Sequence, residues 1–250
     1  MSTFDTITES KQDAAPISLF TFSGAADAEF VAERLIRSVC LIPAATEFGY
    51  GTTVVVKTNA PGAENAYVGG TKSDFVRSME QLLEVAPNLK HVSVVVAWHG
   101  DDLRIGTCKI RPKVDLASKS TSPYVWRVGP TLRAAAPVVS YVNGSPAVGG
   151  TPSDRSVFEC ISWLKSRGLA VTLYPFILMD IAPGNNLPNP YGGTSQPAYP
   201  WRGRITCTPA IGLPGTVDKT PAAATQVASF FGTVTAGQFS WNSAGQFVNY

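Results

Sequence analysis

The chain is short of charge. Asp, Glu, Lys and Arg make up 15% of its 250 residues, where about 25% is usual for a globular protein. No run of Lys or Arg occurs, so the electrostatic footprint of a nucleic-acid binder is missing. Histidine occurs only at His91 and His99, and cysteine only at Cys40, Cys108, Cys160 and Cys207. No C-x-x-C pair is present, so the spacing of a zinc site is missing and the thiols read as buried and reduced. Spacing alone leaves a Cys–His catalytic pair open, with nothing local to support one. No glycine-rich phosphate loop, metal motif or serine elbow appears, and no cofactor is expected. No window reaches the roughly 18 apolar residues of a membrane span. The opening MSTFDTITESKQD is polar and acidic, unlike a secretory leader, so export is expected to require lysis or assembly into a particle.

Glycine (22) and proline (19) are plentiful, and 44% of the chain is hydrophobic. Low charge with many turn formers fits a compact, loop-rich domain. It fits equally a surface built to be covered by other protein.

Residues 17–22 (ISLFTF) read as a strand. Ala28, Val31, Leu35 and Val39 recur at helical spacing and predict a helix over 27–40, stopped by Pro43. A strand is expected at 52–57. Thr71 and Asp74 resemble a capping box opening a helix that carries Phe75, Met79, Leu82 and Ala86. HVSVVVAW (91–98) is a near-continuous apolar run of the kind buried on both faces in parallel sheets. Short strands at 106–111, 124–128 and 137–142 follow, with a tight turn at Asn143-Gly144. Thr151, Pro152 and Asp154 open the clearest helix, with Val157, Ile161 and Leu164 as its stripe and Gly168 as its cap. Residues 169–181 (LAVTLYPFILMDI) read as a second buried strand. Helix, glycine and strand in succession are the grammar of a βαβ unit. Thr220-Pro221 opens a last helix, ended by Gly232, and a turn is expected at 242–245.

In α/β barrels chemistry sits at the C-terminal ends of strands. Asp101 and Asp102 follow one expected strand and Asp180 ends the other, where a glycosidase would hold its two carboxylates. Asp101-Asp102-Leu103-Arg104 equally fits a turn with a local ion pair, and Asp180 a loop cap. Tyr191, Tyr199 and Trp201 lie in a Pro/Gly-rich loop over 182–204. They would stack on sugar, anchor a protein interface, or pin the loop to the core.

Five stretches, VSVVVAWHGDDLR (92–104), CKIRP (108–112), GGTPSD (149–154), YPFILMD (174–180) and PWRGRI (200–205), resemble in order and spacing the large baseplate protein, or megatron, of gene transfer agents and related siphophages. The similarity runs from about Phe30 to Phe239, over the segment that leads into that family's TIM-barrel-like, glycoside-hydrolase-like region. Phe4 to Phe22 is similar to the start of hub-like siphophage tail proteins.

The resemblance implies an α/β fold with an incomplete TIM-barrel-like region over 89–250. An α+β tail-protein-like part over 1–88 would precede it. Residues 89–250 alone are too few for a closed eight-stranded barrel of roughly 250 residues, so the region is expected to be incomplete. The resemblance further implies a structural role at the distal tail tip, in host attachment and DNA delivery. Hub and distal tail proteins would be its partners, in a homotrimer folded in the host cytoplasm before assembly. The alternative is a protein that binds or cuts host-envelope glycan.

Overall fold

The computed structural model describes residues 32–43, 46–68, 70–198 and 204–250. In chain order the elements are α1 (Ala32–Leu35), β1 (Ser38–Leu41), β2 (Val56–Lys57), α2 (Asp74–Val85), β3 (His91–Gly100), β4 (Ile110–Arg111), β5 (Thr121–Ser122), β6 (Arg127–Val128) and β7 (Thr131–Leu132). They continue with β8 (Tyr141–Val142), β9 (Ser145–Pro146), α3 (Asp154–Ser166), β10 (Ala170–Met179), α4 (Pro221–Phe231), β11 (Ser240–Asn242) and β12 (Phe247–Asn249).

The main sheet has the order β1-β3-β10, all parallel, with β4 antiparallel against the end of β3. β10 pairs with β3 along its whole length, from Ala170↔His91 to Met179↔Gly100. The fold is therefore mixed α/β with a mixed sheet. Among the described residues this sheet does not close into a barrel.

Alternation along β3 sorts its side chains to two faces. Val92 and Val94 meet α2 and α3 through Phe75, Met79, Cys160 and Leu164, with Tyr50 and Leu169 completing the cluster. Val95 and Ala97 turn the other way and pack with Leu178 of β10. A second core lies beside the sheet, where the fully buried Trp126 is surrounded by Phe48, Val55, Val114 and Tyr124. Tyr50, Phe75 and Met79 thus share one core with β3, α3 and the start of β10.

α2 and α3 form where the periodicity places them, with shifted caps. α2 is capped by Ser73, whose hydroxyl accepts from Val76 N at 3.4 Å, rather than by Thr71. The Asp74 carboxylate accepts from Tyr67 N at 2.9 Å instead of serving a capping box. α3 is capped by Ser153, not Thr151. Thr151 is buried before the helix, where its carbonyl accepts from Trp126 Nε1 at 2.7 Å. The buried stripe of α3 is Ser156, Cys160 and Leu164, rotated from the expected Val157 and Ile161, which are half-buried. Gly168 ends α3 with φ +74°, a conformation that favours glycine. α4 opens at Thr220-Pro221 and ends at Gly232, as expected, and has no buried residue.

Other expectations give way to pairing. The described part of the helix expected over 27–40 is one short turn, α1. Val39 and Cys40 instead lie in β1, because this segment pairs in parallel with His91–Val94; ladder hydrogen bonds outweigh a helical spacing of apolar residues. Of the expected strand over 52–57 only Val56–Lys57 pairs, against Thr121–Ser122. The backbone before it is held by Glu159, which accepts from Thr52 N and Thr53 N at 2.9 and 3.0 Å. The strands expected over 106–111, 124–128 and 137–142 shrink to β4, β6 and β8, two residues each. The turn between β8 and β9 does have positive φ at Asn143 and Gly144. The expected strand over 17–22 lies outside the described residues.

β10 differs most from expectation. It forms where the apolar run is, but it is not buried on both faces. Leu173 is 52% exposed, Tyr174 51%, Ile177 44% and Phe176 40%. Only one edge of β10 is paired among the described residues. α3 reaches only the start of the strand, where Val171 joins its core.

The C-terminal hairpin β11–β12 folds back onto α3. Trp241 stacks on Phe158 with ring centroids 4.5 Å apart. Asp154 Oδ2 accepts from both Val248 N and Gly129 N at 2.8 Å. The Arg127 guanidinium lies 3.3 Å over the Phe247 ring.

Candidate functional site

The three candidate aspartates do stand at strand ends. Asp101 and Asp102 directly follow β3, and Asp180 directly follows β10. Each is engaged locally. Asp101 Oδ1 accepts from Lys109 N at 2.8 Å. Asp102 accepts from Arg104 through its backbone N, Nε and NH2, from Thr107 Oγ1, and from Gln196 Nε2 at 2.7 Å. Burial acts to raise its pKa, but the bonds from Arg104 and Gln196 outweigh this and hold it at about 2. It is a carboxylate at neutral pH, without a proton to donate. The turn with a local ion pair is what the structure holds here.

Asp180 is buried against Lys113, with Nζ 2.8 Å from Oδ2, and also accepts from Ser140 N at 3.0 Å. Next to this pair lies His99, fully buried at the end of β3. Its Nδ1 is 3.4 Å from Thr151 Oγ1, and its Nε2 has no hydrogen-bond partner. Burial pulls its pKa down to about 4; Asp180 opposes that and Lys113 adds to it. His99 is therefore a neutral imidazole at pH 7.

A glycosidase pair needs one carboxyl raised and one ionised across the same bond. Burial does raise two carboxyls among the described residues, Glu47 and Asp154. Neither stands at the end of β3 or β10. Glu47 is paired with Arg133, and Asp154 holds the C-terminal hairpin.

Glu47, Glu64 and Asp115 come close enough together to hold a metal ion. The place is taken by Lys119, whose Nζ lies 3.2, 2.7 and 2.6 Å from the three carboxylates. An internal ammonium does the work of a cation there.

Sequence reading did not find the partners of His91. Its Nδ1 lies 2.9 Å from Ser38 Oγ and its Nε2 2.8 Å from Thr172 Oγ1, a polar bridge across β1, β3 and β10. It sits at the N-terminal end of the parallel strands, where barrel folds place stability rather than catalysis. The hydroxyls come from positions 38 and 172, so no local motif announces them.

Of the loop aromatics, Tyr191 is 44% exposed. Its hydroxyl donates to Arg204 O at 2.7 Å, tying the loop across itself. Tyr199 and Trp201 lie outside the described residues. An open apolar groove of about 350 Å³ runs between the end of β1 and α2, lined by Leu41, Phe75 and Met79. None of Asp101, Asp102 and Asp180 lines it.

The most distinctive surface is apolar. β10 exposes Leu173 and Ile177 on one face and Tyr174 and Phe176 on the other. Phe231 of α4 is 73% exposed, while its neighbour Phe230 packs with Met179 and Ile181 at the end of β10. Five charged residues, Asp180, Arg202, Arg204, Asp218 and Lys219, are all that fall after position 168. The sequence signal for this surface was the low charge, which averaging over the whole chain diluted.

No protein-family profile matches the chain, and no curated protein matches it in sequence.

Proposed function

We propose that the chain is a structural subunit of the tail tip or baseplate of a phage or gene transfer agent, completed by the subunits around it. The observation that carries this reading is β10, a ten-residue strand that among the described residues is paired on one edge only and leaves apolar side chains uncovered on both faces. An uncovered apolar edge is a liability in a free monomer and an asset in an assembly. The motifs at 92–104, 108–112, 149–154, 174–180 and 200–205 direct the reading to the megatron baseplate family. In that reading the parallel β1-β3-β10 sheet is the opening part of a TIM-barrel-like region. Hub and distal tail proteins are its neighbours, the chain is trimeric, and its place is the distal end of the tail.

A glycan-cleaving role through Asp101, Asp102 and Asp180 has less support. Asp102 is held ionised by Arg104 and Gln196, and Asp180 is committed to Lys113.

Cryo-electron microscopy of purified particles tests the proposal. Density for the chain around the axis at the distal tip, against the hub, is the expected result. Particles complete without it overturn the reading. So does light scattering that finds the isolated chain to be a stable monomer at micromolar concentration.

A further inference from the structure

A cleft of about 140 Å³ opens where β6, β7, α3 and the C-terminal hairpin meet. Arg127 of β6, Leu132 of β7, Tyr124, and Arg155 in the first turn of α3 line it, together with Gly245 and Gln246 in the turn between β11 and β12. Drug-sized ligands take roughly 300–1,000 Å³, so this cleft has room for a single chemical group. Among the described residues its lining carries two guanidiniums and no carboxylate.

Both guanidiniums are fixed on one side and open on the other. Arg127 donates its Nε–H to Gly129 O at 2.9 Å and lies 3.3 Å over the Phe247 ring. Arg155 donates its Nε–H to Glu159 Oε1 at 3.0 Å and lies 4.2 Å over the Tyr124 ring. Among the described residues the terminal nitrogens of these two arginines make no hydrogen bond, and none of them is a buried atom. Arg104 and Arg133 differ. Each turns a terminal nitrogen to a carboxylate, that of Asp102 and that of Glu47. Stacking and the Nε bond order the Arg127 and Arg155 forks before any ligand arrives, which lowers the cost of binding one.

The nearby acids are engaged elsewhere. Glu159 also accepts from Thr52 N, Thr53 N and Thr53 Oγ1. Asp154 accepts from Val248 N and Gly129 N. Neither lines the cleft.

Gln246 adds a second, independent sign. Its φ is +52°, a conformation that favours glycine. Its amide makes no hydrogen bond among the described residues, and its Oε1 is buried without a partner. Strain and an unpaired polar group are both unfavourable, and no bond inside the protein offsets them. The last torsion of a glutamine is broad, so the amide can turn a donor to a group in the cleft.

We propose that the cleft between Arg127, Arg155 and Gln246 binds a phosphate group. Charge selects the ligand class. Two guanidiniums match a phosphate, which carries about −1.5 to −2 at neutral pH, better than they match a carboxylate. Planar guanidinium forks pair bidentately with phosphate oxygens. A bound phosphate ties β6, α3 and the turn of the C-terminal hairpin together. The site is independent of the tail reading.

NMR titration of the full chain with sodium phosphate, at constant pH and ionic strength, tests this. The Nε–H signals of Arg127 and Arg155 and the backbone N–H signals of Gly245 and Gln246 are expected to shift and to saturate at millimolar phosphate. Arg127→Lys keeps the charge and loses the fork, and is expected to weaken binding at least about tenfold. Because losing the stack on Phe247 also loosens the hairpin, Leu132→Glu is the second variant. It sets a carboxylate into the cleft from a half-exposed position. It is expected to abolish the shifts while the amide signals of β3 and α2 stay where they are. Gln246→Gly relieves the turn and is expected to weaken binding about two- to tenfold.

Shifts that never saturate, shifts that sodium chloride reproduces, acetate binding as tight as phosphate, or native binding in Leu132→Glu overturn the proposal. So does silence at these signals, the result expected if a carboxylate of the chain itself fills the cleft. Glycerol phosphate separates the sources. Affinity equal to that of inorganic phosphate means that the cleft takes the phosphate of a larger molecule; no affinity means that it takes the free ion.

Discussion

Lys113 Nζ lies 2.8 Å from Asp180 Oδ2, and the pair is buried at the C-terminal end of the sheet. It fastens the chain after β4 to the end of β10. Removing one partner strands the other as an uncompensated buried charge, which costs about 3–5 kcal/mol. Lys113→Met is expected to lower the unfolding free energy by that much in urea titration. Lys113→Met with Asp180→Leu is expected to recover most of the loss. A double variant as weak as the single would mean that the pair is not what holds this end.

His99 gives a pH dependence whose sign is fixed. Its folded pKa, about 4, lies below its ordinary 6.5, so the unfolded chain binds the proton more readily. The contribution is fully present above pH 6.5 and is lost as pH falls toward 4. Stability is expected to drop by roughly 1–2 kcal/mol between pH 7 and pH 5. His99→Leu should flatten the urea midpoint over that interval, with Lys113 and Asp180 still paired beside it.

Asp102 acts lower on the scale. Its folded pKa of about 2 lies under the ordinary 3.8. It stabilises the fold above about pH 4, and that contribution disappears as pH falls toward 2. Gln196 links Asp102 to the backbone of Leu103, whose N donates to Gln196 Oε1 at 2.8 Å. Asp102→Asn is expected to speed amide exchange at Leu103 and to weaken the acid dependence below pH 4. Unchanged exchange at Leu103 would count against a network role.

Asp154 is the peg for the C-terminal hairpin, through Val248 N and Gly129 N. Asp154→Ala leaves two partly buried amides without an acceptor, at about 1–3 kcal/mol each. Limited proteolysis is expected to cut between positions 232 and 246 in the variant and to spare the native chain. Stacking of Trp241 on Phe158 would hold the hairpin unaided if no new cut appears.

The strong periodic segments were legible. β3, β10, α2 and α3 lie where apolar runs and spacing put them, and α4 lies where Thr220-Pro221 and Gly232 bound it. Caps were misread for one reason in two places. Thr71-Lys-Ser73-Asp74 and Thr151-Pro-Ser153-Asp154 each offer two candidates, and in both the serine directly before the first helical aspartate reaches the N–H three residues on. β1 was misread because its identity depends on His91–Val94, fifty residues away. The strand-end placement of Asp101, Asp102 and Asp180 was legible too. Lys113 and Gln196, which commit two of those aspartates, come from distant positions that spacing does not reveal. The exposure of β10 was hidden because an apolar run reads the same whether or not another element covers it.

The pairing of His91 with Ala170, 79 positions later, also sets a timetable. At about 5–20 residues per second of synthesis, β3 leaves the ribosome roughly 4 to 16 seconds before its long partner. For that interval VSVVVAW has, among the described residues, only the four residues of β1 to pair with, and it carries no charge to keep other nascent chains away. The central strand of the sheet is thus a segment for a chaperone to hold during translation.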